Sequence, residues 1–129
     1  MKKYDNFKKS LVNLKSIFDY NAPYGIVELT GLVGLCELSF EQAWKVMKEI
    51  LEQHGYSQAV TGSPKQILKI AFSCGMIKDE GLWLDALVAR NNVAHSYNID
   101  VAIDIVNQTK ERYYYMLLKL DEELVKNWL

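Results

Sequence analysis

Over the last part of the chain, Ile105, Thr109, Tyr113, Met116, Leu120 and Leu124 fall three or four residues apart. That spacing lines side chains along one face of an α-helix. The same rhythm opens the chain in Phe7, Leu11, Leu14 and Phe18. The strict alternation of apolar and polar residues that a half-buried strand requires is scarce. A chain with this periodicity has one route to a core: its helices must pack stripe against stripe.

Punctuation between the stripes divides the chain. The first helix spans about residues 2–20, and Asn21-Ala22-Pro23 ends it and starts the next, with proline near the first helical position. The second spans about residues 24–54, with Gly55 as its stop. Gly25, Gly31 and Gly34 weaken its first half, each by up to about 1 kcal/mol relative to alanine. That half depends on packing, and glycine there would permit close helix–helix approach. Ser63-Pro64-Lys65-Gln66 reads as a capping box opening a third helix, which carries Ile67, Leu68, Ile70 and Ala71 and stops at Gly75. Asp79 caps a fourth helix through Trp83, Leu84, Leu87 and Val88, and Asn98 or Asp100 caps a last one reaching about Leu129. The expected fold is all-α: an up-and-down four-helix bundle with an additional short helix, residues 1–129 forming a single domain.

With 129 residues, half of them apolar, the chain can bury a core without a metal or disulfide staple. Lys plus Arg number 15 against 16 Asp plus Glu, so any nucleic-acid contact must rest on a local patch. Lys2, Lys3, Lys8, Lys9 and Lys15 crowd the first helix, and Asp121, Glu122 and Glu123 sit near the end; both groups read as solvated helix faces. Trp44, Trp83 and Tyr113-Tyr114-Tyr115 read as core or interface anchors. Cys36 and Cys74 lie in apolar surroundings without metal-ligand spacing, as buried free thiols of a reducing compartment do. The first ten residues contain no apolar leader, and no apolar run is long enough to span a bilayer. A cytoplasmic protein with no membrane contact is expected.

Residues 90–97, Arg-Asn-Asn-Val-Ala-His-Ser-Tyr, break the pattern, because an apolar helix turns polar within one turn. His54, beside Gly55 at a helix C-terminus, is explained as a cation favoured by the helix dipole. His95 is not explained so simply. Asn91 and His95, four apart, continue the stripe of Leu84, Leu87 and Val88, while Arg90 and Tyr97 share an adjacent stripe with Trp83. The spacing leaves two readings open: a satisfied buried Asn–His pair with a snorkelling arginine, or an active site. Serine or cysteine nucleophile motifs, metal-ligand spacings and phosphate-cradling glycine loops are missing, so neither a metal nor a cofactor is expected. Histidine can move a proton near neutral pH, and arginine can stabilise charge on a phosphate. That pair suits attack of an RNA 2′-OH on its own phosphate, and two copies across a symmetric interface would make a fuller site.

Arg90-Asn91-x-x-x-His95-x-Tyr97 at a helix end resembles the motif of the HEPN superfamily (higher eukaryotes and prokaryotes nucleotide-binding). Phe40-Glu41-Gln42-Ala43-Trp44-Lys45, Ser63-Pro64-Lys65, Gly75-Met76-Ile77 and Trp83-Leu84 resemble its nucleotidyltransferase substrate-binding protein branch. The resemblance implies a homodimeric bundle partnered by a minimal nucleotidyltransferase on a separate chain, in a toxin–antitoxin pair. By that resemblance the chain is a metal-independent endoribonuclease with RNA as substrate. Arg90 and His95 are catalytic, Asn91 assists them, and Tyr97 is the residue on which nucleotidylation silences the toxin. Glu41, and beside it Glu37, would face the motif helix and orient Arg90; an ordinary Glu41–Lys45 surface pair is the competing reading. Val93 and Ala94 stand where many relatives carry a hydroxyl residue. The alternative to the toxin is a non-catalytic nucleotide- or substrate-binding subunit of a nucleotidyltransferase.

Overall fold

The computed structural model describes residues 1–129. It is an all-helical, up-and-down bundle: α1 (Lys2–Leu14), α2 (Ile26–Gln53), the short α3 (Pro64–Ser73), α4 (Glu80–Asn91), α5 (Ile99–Gln108) and α6 (Tyr114–Glu123). The helical path from α5 to α6 is unbroken, because a π-helical turn at Thr109–Tyr113 joins them and a second, Leu124–Trp128, extends α6. These last elements form one rod, so the bundle has four long members with α3 as the short one.

Helix α2 is the mast, packing against α1, α3, α4 and α5. Its start is secured by Glu28, whose carboxylate accepts the Gly25 N–H at 3.2 Å. Ser63 and Gln66 form the reciprocal capping box that their spacing predicts, at 3.3 and 2.8 Å. Gly55 and Gly75 both take positive φ, the left-handed geometry that closes a helix C-terminus. At the far end His54 caps α2, its ring 4.8 Å from that of Trp128.

Three expectations need correcting. The first helix is α only to Leu14 and tightens into a 3₁₀ turn over Lys15–Asp19. Three residues per turn then place Ile17, not Phe18, beneath Leu14: Ile17 is fully buried and Phe18 is exposed. The α2 glycines serve no close approach, since a Cβ at Gly31 or Gly34 would meet nothing within 4 Å. Asp121 is not on a solvated face. It is 7% exposed, accepts the Tyr4 hydroxyl at 2.7 Å and the Lys8 ammonium at 2.6 Å, and so ties α6 to α1.

The C-terminal stripe reads as the sequence indicates. Ile105, Thr109 and Tyr113 are all buried, although each four-residue step overshoots a 3.6-residue turn by about 40°. The π turn absorbs that drift. Cys36 is buried and Cys74 partly so, both as free thiols, and burial pushes the Cys36 thiol up to about 11. No helix is long and apolar enough to cross a membrane.

Burial, together with the Asp121 carboxylate, raises the Tyr4 hydroxyl to about 12. A raised acid stabilises the fold while protonated, and that contribution is lost as pH climbs from the ordinary tyrosine value near 10 towards the folded one. The urea midpoint should therefore fall between about pH 10 and 12. Tyr4→Phe should flatten that fall while lowering the midpoint at pH 8; an unchanged alkaline profile would show that Tyr4 titrates freely.

Candidate functional site

Helix α4 starts from Asp79, whose carboxylate accepts the Leu82 N–H at 3.0 Å. Its inward face is set by Trp83 and Ala86, 2% and 3% exposed, with the Trp83 ring 6.0 Å from that of Phe40 on α2. Arg90 and Val93 continue this face and are half-buried. Along the stripe of Leu84, Leu87, Val88, Asn91 and His95, Leu84 and Leu87 still pack against the core, but Val88 is 59% exposed and Asn91 and His95 are both exposed. A buried Asn–His pair is ruled out by that placement.

The motif also straddles a junction instead of ending one regular helix. The α-helix stops at Asn91, and Asn92–His95 winds on as a 3₁₀ turn. Backbone bonds from Ser96 N–H to the Val93 carbonyl and from Asn98 N–H to the His95 carbonyl, both 3.0 Å, hold the bend. Asn98, not Asp100, then caps α5, its side chain accepting the Asp100 N–H at 3.0 Å. Tyr97 sits on the bend with 84% of its surface free, its ring 6.3 Å from and edge-on to that of His95.

Arg90 is anchored from the mast. Its Nε donates to Glu41 Oε1 in a part-buried ion pair, and its Nη1 lies 3.4 Å from Asn91 Oδ1. Glu41 thus pairs with Arg90, and Lys45 forms no ion pair. Glu37 lines the same small void behind Arg90, together with Cys36, Phe40, Val93 and Thr109, without bonding to it. That void of about 20 Å³ has room for about one water and no substrate. Arg90 and His95 share no hydrogen bond, so a single copy offers an open surface: a braced guanidinium, with Nη2 unpartnered, near an exposed imidazole and an exposed phenol. No group of three or more His, Cys, Asp or Glu is placed to hold a metal ion.

Roomier concavities lie elsewhere. About 500 Å³ opens between the Met76–Asp79 segment, the first turn of α4 and the C-terminal rod, bordered by Arg112, Lys119 and Lys126. The sequence reads Trp83 as a core or interface anchor and does not single out Lys119 and Lys126. Their seven-residue spacing on the last helix was the available signal.

Comparison with known proteins agrees with this architecture. The family model described as nucleotidyltransferase substrate binding protein like matches residues 2–126. A Thermus thermophilus protein superimposes with a TM-score of 0.76 at 23% identity, covering 94% of this chain and 99% of its own. A Haemophilus influenzae protein, whose structure is described as revealing the fold of a substrate binding domain of a nucleotidyltransferase, gives 0.71 at 21% identity, covering 97% and 96%. No curated protein matches at a significant level.

Because His95 lies in solvent, His95→Ala should change unfolding free energy by less than about 0.5 kcal/mol. Arg90→Ala strands the Glu41 carboxylate, only 17% exposed, and should cost about 1 kcal/mol. The double variant with Glu41→Ala should cost less than the sum, as a urea double-mutant cycle would measure. Additivity would mean the ion pair carries no coupling.

Proposed function

The chain belongs to the nucleotidyltransferase substrate-binding protein-like family, and on that premise we propose that it is the substrate-binding subunit of a nucleotidyltransferase carried on a separate chain. The observation that carries this is the extent of the match, residues 2–126 of 129, which takes in every helix of the bundle. The Haemophilus influenzae protein described as such a substrate binding domain has the same fold over 97% of this chain, which supports the reading. In it, Arg90 clamps a phosphate, with Glu41 fixing its direction and Asn91 steadying one nitrogen; His95 and Tyr97 flank the ligand from the bend.

A second reading is favoured by one observation, the exposure of His95 and Tyr97 beside a braced Arg90. In this reading the chain is a HEPN-type, metal-independent endoribonuclease toxin. His95 takes the 2′-hydroxyl proton as the 2′-oxygen attacks the phosphorus, and Arg90 stabilises the charge growing on the phosphate; the P–O5′ bond breaks and the 5′-oxygen leaves with a proton returned by the imidazolium, giving a 2′,3′-cyclic phosphate and a 5′-hydroxyl end. Arg90 and His95 do not meet within one copy, and Val88 and Ile99, 59% and 54% exposed, supply apolar surface on either side of the motif. A symmetric homodimer closing over that surface would bring two sets together. Nucleotidylation of the accessible Tyr97 hydroxyl would place a bulky anion beside Arg90 and repel RNA.

Incubation with the partner nucleotidyltransferase and labelled ATP separates the two. Label confined to a third molecule, with RNA left intact by the purified chain in EDTA, is the outcome expected of a binding subunit. Label on this chain that disappears in Tyr97→Phe, with RNA cut in EDTA by the wild type and not by Arg90→Ala or His95→Ala, would replace it with the toxin.

A further inference from the structure

The groove under the first turn of α4 has the volume of a small-molecule site, about 500 Å³. Its floor is apolar and firm: Met76, Trp83, Met116 and Leu120 are each at most 4% exposed. Trp83 brings a polar atom to that floor. Its indole N–H, a donor only, has no hydrogen-bond partner within the protein. Trp44 also has an unpartnered indole N–H, but that one is sealed from solvent and the Trp83 one is not. The Trp83 side chain is 2% exposed and lines the groove. A donor held at the bottom of a concavity is matched by a ligand carrying an acceptor on a flat apolar body.

The rim narrows the ligand further. Glu123 is already engaged by Asn127 at 2.7 Å, Trp128 at 3.2 Å and Lys78 at 3.5 Å. Arg112 is turned toward Asp85 at 3.3 Å and Gln108 at 2.9 Å, and Asp79 caps α4. Lys119 and Lys126 form no ion pair and both border the groove, with Glu122 the only rim acid left unengaged. Tyr115, half-exposed at 50%, adds an accessible ring face on the same wall. The features left to a ligand are thus the open part of a tyrosine ring that Tyr114 and Phe18 partly cover, one indole donor and two cations.

We propose that this groove binds a nucleoside phosphate, its base against the Trp83–Met116 floor and the Tyr115 ring, a base acceptor on the Trp83 indole N–H, and its phosphate at Lys119 and Lys126. The choice of a nucleotide among ring-bearing anions rests on the chain serving a nucleotidyltransferase. The site is separate from the motif, since no residue of 90–97 lines it.

Indole N–H resonances of the ¹⁵N-labelled full chain read the site directly, three in all for its three tryptophans, with Trp83→Phe making the assignment. ATP should shift the Trp83 signal saturably, adenosine should do so only at higher concentration, and tripolyphosphate alone should leave it in place. Reversing both charges, Lys119→Glu with Lys126→Glu, should raise the ATP dissociation constant about tenfold or more, with unchanged circular dichroism. Arg90→Ala should leave the Trp83 response intact. A Trp83 signal unmoved at millimolar ATP, or moved equally by tripolyphosphate, overturns the proposal. ATP perturbing His95 and Tyr97 but not Trp83 overturns it too, while leaving the nucleotidyltransferase reading standing.

Discussion

A helix of 28 residues cannot bury its whole circumference in a chain this short, so α2 divides its perimeter. Its inner arc, Leu29, Val33, Cys36, Phe40, Ala43, Met47 and Ile50, is buried, and the helix packs against α1, α3, α4 and α5. Where that arc gives way to solvent, Glu41 stands 17% exposed, shielded enough to hold Arg90 in place. Packing Phe40 on Trp83 sets the approach of α4 to α2, and that approach is what brings Arg90 within reach of Glu41. The motif's geometry is therefore a by-product of core packing two turns away.

Much of this was legible in the residues. The Ser63-Pro64-Lys65-Gln66 cap, the Asp79 cap, the glycine stops and the long C-terminal stripe are local devices with one structural outcome each. What could not be read was where periodicity changes. Leu14–Ile17 and Leu14–Phe18 are both helical spacings, and only the tightening of the turn decides between them. The same ambiguity left two readings of Asn91 and His95 open. A continuous α-helix would keep them on one stripe, but that stripe faces core or solvent according to how Trp83 docks, which is a tertiary fact. Asp121 shows the converse failure: an acid in an acidic run looks solvated until Tyr4 and Lys8 arrive from more than a hundred residues away.

The molecule thus separates two kinds of surface along one helix. At its C-terminal end α4 breaks into a bend that displays polar, reactive side chains without enclosing them. At its N-terminal end it roofs a concavity with a rigid apolar floor. A display surface suits large or flexible partners, and an enclosed one suits a small ligand held by shape. Both surfaces hang on one helix, held to α2 by Trp83 against Phe40 at one end and by the Glu41–Arg90 pair at the other.

The two π turns of the C-terminal rod carry one last implication. A turn bonded i to i+5 holds a residue more than the α turn it replaces, so Thr109–Tyr113 and Leu124–Trp128 are reserves of slack in an otherwise tight helix. Losing one residue there returns plain α geometry and leaves both flanks facing as before. Losing one within Tyr114–Glu123 rotates everything beyond it by about 100°. Shortening the rod by one residue at Thr109–Tyr113 therefore keeps Asp121 facing Tyr4 and Lys8.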